Sequence, residues 1–200
     1  MIPKIEFRYS DIYDRGYKES KRIQSFLKEK GREYPSEQKI ERYIKGIAPL
    51  WNKIGNKTLL ELSKIAGLKW KEEKILCYVI GHGKPFSDPL TVRLFDNKND
   101  FLDVLTHELI HQLFSQENNP DISEKSWDYF FKKYKSESRR TVIHVPLHAV
   151  HSELITRFFP KANIEKRLQL PPNDEYKQSW KIVQEEGHQN IINEFKKRLK

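Results

Sequence analysis

Two histidines and a glutamate in the string His107-Glu108-Leu109-Ile110-His111 have the types and spacing to hold a metal ion and to move a proton beside it. On a helix, residues four apart project from one face, so both imidazoles can reach one Zn²⁺ at about 2.0–2.1 Å. Glu108, next to the first histidine, is placed to take a proton from a water on the metal rather than to bind the metal itself. The ion would bring that water's pKa towards about 7 and polarise a carbonyl, and Glu108 would pass the proton to the leaving amine. Both variable positions of the string are apolar, and Val104, Leu105 and Leu113 flank it. Two imidazoles and a carboxylate in a buried helix carry a desolvation cost unless they are paired, and a metal supplies that pairing.

A catalytic zinc takes three protein ligands and keeps one position open. The richest place for a third ligand is Ile143-His144-Val145-Pro146-Leu147-His148-Ala149-Val150-His151, where three histidines fall close together. His148 and His151 share a helix face, and Ala149 beside His148 allows close packing. His148 is therefore the expected ligand, with His151 and His144 as alternative ligands or as groups that orient a ligand or face the transition state. Glu153 points away from that face. His82, between Gly81 and Gly83, reads as part of a turn.

Residues 104–113 resemble the extended signature of the zincin metallopeptidases. The resemblance implies that His107 and His111 are zinc ligands and Glu108 the general base of a peptidase. It also implies a mixed sheet with an exposed edge strand just before the active-site helix, and residues 90–95 stand where that strand would be. An extended substrate would then bind there by strand addition. Metzincins continue with Gly and His three and six residues after the second ligand, where this chain has Phe114 and Glu117, so that subclass is excluded. Gluzincins use a Glu on a later helix, often with an Asp four residues on. Glu124 and Asp128 have that spacing, although Trp127, Phe130 and Phe131 make the segment read as an ordinary amphipathic core helix. The closest description is a gluzincin-like chain with histidine as third ligand.

The elements around these residues point to an α+β fold, zincin-like, mostly helical, with a small mixed β-sheet and a buried active-site helix. An extended start at residues 5–9 precedes a helix from about Glu19 to Lys30, a second from Ser36 that Pro49 ends or kinks, and a third capped by Thr58. Residues 75–80 and 90–95 are rich in β-branched and aromatic side chains and read as strands. The helix carrying the motif runs from about Asn99 or Asp100 to Ser115. Loop residues to Pro120, a helix over 122–134, and an extended piece over 141–144 follow. Pro146 is well placed in the first turn of a further helix to Phe159. Two or three helices complete the chain.

At 200 residues, one zincin-like domain over 1–200 is expected, given about 150 residues per domain. Residues 36–160 would form the catalytic core, with helical extensions over 1–35 and 161–200. The net charge is +9, but Lys and Arg interleave with Glu, as in Lys18-Glu19-Ser20-Lys21-Arg22, and such patterns belong to solvated helix faces. That counts against nucleic acid as the partner and leaves a peptide or protein substrate. The alternative function is a basic helical nucleic-acid- or protein-binding module with structural zinc or none. Cys77, the only cysteine, lies in an apolar run and reads as core, which rules out an intramolecular disulfide. No stretch suits a membrane span or a signal peptide, so a cytoplasmic monomer is expected.

Overall fold

In the computed structural model, the described residues are 1–115, 124–158 and 174–199. They form β1 (Lys4–Arg8), α1 (Asp11–Lys18), α2 (Lys21–Glu29), α3 (Glu37–Ala66), β2 (Lys74–Ile80), β3 (Phe86–Ser87), β4 (Leu90–Arg93), α4 (Lys98–Ser115), α5 (Glu124–Lys133), α6 (Arg139–Phe158), α7 (Glu175–Glu186) and α8 (His188–Lys196). The class is α+β, mostly helical with one small mixed sheet. Among these residues no helix is long and apolar enough to cross a membrane. Contacts divide the chain into two compact units, Met1–Lys57 with Glu72–Gln112, and Thr58–Lys71 with Leu113–Lys200.

The first unit holds the sheet, with strand order β1-β2-β4-β3. β1 and β4 each run parallel to β2, with Ile5 opposite Ile75 and Val79 opposite Val92, and β3 pairs antiparallel to β4. Period-2 alternation buries Ile75, Cys77 and Val79, and the core continues through Ile40, Ile47, Leu90, Val92, Phe101 and Leu105. Ser10 caps α1, accepting from Tyr13 N at 3.4 Å. Tyr13 hydrogen-bonds Thr91 Oγ1 at 2.8 Å. Asp14, only 2% exposed, accepts from Tyr34 Oη at 2.5 Å and from Gly81 N at 3.0 Å, so a buried carboxylate is satisfied by a helix-to-loop tie.

The second unit packs α6 against α5, α7 and α8. Phe130, Val145, Leu154, Trp180, Ile191 and Phe195 lie in its core. The end of α3 belongs to it as well: Gly67 takes φ +73°, and its N–H bonds Ser63 O at 2.9 Å, which closes the helix in a conformation that disfavours other residues.

Three sequence expectations need correcting. Pro49 does not end a helix: α3 runs through it, and Thr58, expected as a cap, sits buried mid-helix. Burial of Ile47, Trp51, Leu59 and Leu62 along α3 outweighs the one backbone bond that proline removes. The helix expected from about Glu19 to Lys30 is α2, Lys21–Glu29, and α1 at Asp11–Lys18 is a further helix before it, closed by Glu19. The substrate-binding edge strand at 90–95 is not an edge: β4 lies between β2 and β3, and β3 pairs with Leu90 and Thr91. A short return segment after β2 supplies that cover, and its two residues carry too little pattern to be read as a strand.

Candidate metal centre

Asn97 starts α4, its Oδ1 accepting from Asn99 N at 2.9 Å and its carbonyl from Asp100 N at 3.1 Å. Phe101, Leu105, Leu109 and Ile110 are all fully buried, so α4 is enclosed on several sides, as its apolar circumference predicts. Gln112 Nε2 donates to Ser87 O and ties the helix to β3.

The spacing within α4 sets the rings of His107 and His111 4.9 Å apart between centroids, at 78°. His107 is buried and His111 half-buried. Glu108 is 8% exposed, and desolvation pushes its carboxyl up to about 7. Its charge is felt at Cys77, whose thiol is pushed up first by burial and then by Glu108. Cys77 is therefore a protonated core residue, in line with its sequence context.

His144 lies in α6, not in an extended piece. The helix starts at Arg139 and runs through Pro146, so Pro146 sits in its interior rather than its first turn. Ser138 sets the start, with Oγ 3.1 Å from Thr141 N and its carbonyl accepting from Val142 N at 3.0 Å. Glu175 holds this end from α7, contacting Ser138 Oγ at 2.5 Å and Arg140 Nη1 at 2.6 Å. These caps form the first turn without Pro146, and the missing donor at Pro146 leaves one gap in the ladder, at Val142 O.

His144 Nδ1 lies 2.7 Å from Arg140 O. A carbonyl can only accept, so Nδ1 carries the hydrogen and the lone pair falls on Nε2. The Tyr176 ring abuts the imidazole edge-on at 4.5 Å and 67°. Burial lowers the pKa of His144, against the opposing pull of the Arg140 carbonyl, and keeps the ring in the neutral form that ligates metals.

One ligand atom each from His107, His111 and His144 lie within 4.8 Å of one another, close enough to bind a single metal ion. His148 and His151 are not part of this group. His148, fully buried, stacks on Trp180 at 4.3 Å and 18°, and its Nδ1 is 2.7 Å from Ser179 Oγ. Ser179 Oγ donates to Tyr176 O, so it accepts from His148 Nδ1–H. The His151 ring lies 5.8 Å from Trp180. Glu153 pairs with Arg157 Nε at 2.5 Å and His188 Nε2 at 2.9 Å, away from the histidine group. Glu124 opens α5, but its side chain lies outside the described residues. His82 stacks on Phe26 at 5.4 Å, in a turn as expected.

The signal for His144 was present in the sequence. His144 and His148 repeat the four-residue spacing of His107 and His111, and that spacing has meaning only if the helix continues through Pro146. Three imidazoles, one with its tautomer fixed by a backbone carbonyl, are a donor set suited to a transition-metal ion, since metal-bound histidines are oriented in this way. No known protein family, curated protein or solved structure matches the chain.

Proposed function

We propose that the chain is a zinc-dependent metallopeptidase of zincin-like chemistry, with His107, His111 and His144 as ligands and Glu108 as general base. Support comes from one observation: three imidazole donors within 4.8 Å of one another, with a buried carboxylate adjacent in sequence to the first. Three neutral nitrogen ligands leave a fourth position for water or substrate, the pattern of catalytic rather than structural zinc. Zinc held there would act as a Lewis acid towards a carbonyl and make a nearby water more acidic.

The chain's own residues do the rest. Glu108, buried beside the first ligand and with its carboxyl raised by desolvation, can accept a proton and release it to a leaving amine. Arg140 O and Tyr176 hold the His144 ring in one tautomer and one plane. The substrate is a peptide or protein, and the enzyme is a cytoplasmic monomer.

Elemental analysis of protein purified without an affinity metal column tests the reading, together with cleavage of unfolded casein by zinc-loaded wild type and Glu108→Gln. Stoichiometric zinc and cleavage that Glu108→Gln abolishes are expected. Wild type that takes up no zinc when it is supplied would sink the proposal.

A further inference from the structure

A groove of about 670 Å³ lies within the first unit, between α1, α2 and the turn after β2. We propose that this groove, lined by Tyr17, Arg22, Ile23, Phe26, His82 and Lys84, is a docking site for an acidic peptide segment that carries an aromatic side chain. The proposal does not depend on the metal reading.

Shape is the first support. The volume falls in the range of ligand sites, about 300–1,000 Å³. Phe26 stacks on His82 at 5.4 Å and 18° yet stays 45% exposed, so the pair presents aromatic surface that the chain itself does not cover. Tyr17 and Ile23 supply further apolar contact. An aromatic ring entering beside this pair gains area burial and offset stacking together.

Charge is the second. The two charged residues in the lining, Arg22 and Lys84, are both cations. Arg93 and Arg32 add to the field: after desolvation, they are the charges that lower the pKa of His82. A carboxylate-bearing ligand is attracted by this field and a basic one repelled.

Gly16 is the third. It stands inside α1, where glycine weakens a helix, and it lines the groove. A Cβ added there would meet nothing within 4 Å, so no neighbour requires glycine. What the missing side chain leaves is room in the groove. A concave site with a bare floor takes in a side chain, whereas a membrane-binding helix presents a protruding apolar face.

Fluorescence anisotropy of the full chain with a labelled peptide of Glu and Asp around one Phe tests the proposal. Circular dichroism checks that each variant is folded, and Gly16→Leu is placed where an added Cβ meets no neighbour within 4 Å. Saturable binding is expected, weakened about tenfold or more by Gly16→Leu, by Phe26→Ala, and by Arg22→Glu with Lys84→Glu. Peptides with Ala for Phe or Lys for the acidic residues should bind comparably more weakly, and His111→Ala should bind as wild type does. Three results would overturn it: no saturable binding by wild type, binding lost in His111→Ala but kept in Gly16→Leu, or capture by phosphatidylglycerol vesicles that the peptide does not displace.

Discussion

His144 donates from Nδ1 to the backbone carbonyl of Arg140, one turn earlier on the same helix, at 2.7 Å. That bond decides which nitrogen of His144 can face a metal. It also separates His144 from His148, whose ring is stacked on Trp180 and bonded to Ser179. Replacing His107, His111 or His144 by Ala should abolish zinc uptake in elemental analysis, while His148→Ala should retain it. Zinc lost from His148→Ala and kept in His144→Ala would reverse the assignment.

Ser179→Ala removes the acceptor of His148 Nδ1 in a fully buried setting and should cost about 1–3 kcal/mol of stability. Zinc content should not change. Urea denaturation with parallel metal analysis checks both, and a stability equal to wild type would remove Ser179 from any structural role.

Glu175 grips Ser138 and Arg140 at the start of the helix that carries His144. Glu175→Ala should weaken zinc affinity by about 10–100-fold, as loss of groups that orient a ligand does. Competition with a chromophoric chelator measures it. Unchanged affinity would mean that the clamp does not control the ligand.

Glu108→Gln should lower peptide cleavage by on the order of 10²–10⁴-fold with zinc content unchanged. Stripping zinc from wild type should lower the melting temperature, since a ligand bound only to the native state stabilises it by about 4 kcal/mol at a thousandfold excess over Kd. Equal thermal curves for the zinc-loaded and the stripped protein would argue against a site formed on folding.

Acid sensitivity has an identifiable source in the second unit. Burial raises the carboxyl pKa of Glu153, but Arg157, Gln189 and His188 outweigh burial and lower it below the ordinary 4.5. Glu61 is lowered by Lys64 and then by Arg157. A carboxylate with a depressed folded pKa adds stability that is complete above its unfolded value and is lost as pH falls through the folded value. Wild type should therefore weaken as pH drops below about 4.5, and Glu153→Gln should show a shallower acid limb in denaturant titrations. Superimposable limbs would assign acid sensitivity elsewhere.

The sequence by itself determined the motif, the helix that carries it and the class of the fold. An i, i+4 histidine pair is a local property of helix geometry, and α4 announces itself by its apolar circumference, although its cap is Asn97 rather than the expected Asn99 or Asp100. Only the tertiary structure decided which further histidine lies close enough to the pair to share a metal ion with it. Pro146 read as a helix start because a proline removes a backbone donor; Ser138 caps the true start locally, and Glu175, which holds that end, reaches it from a helix distant in sequence. The same holds for β4. Its alternation marks it as a strand, but whether a strand is an edge depends on what pairs beside it, and β3 is a two-residue segment with too little pattern to read.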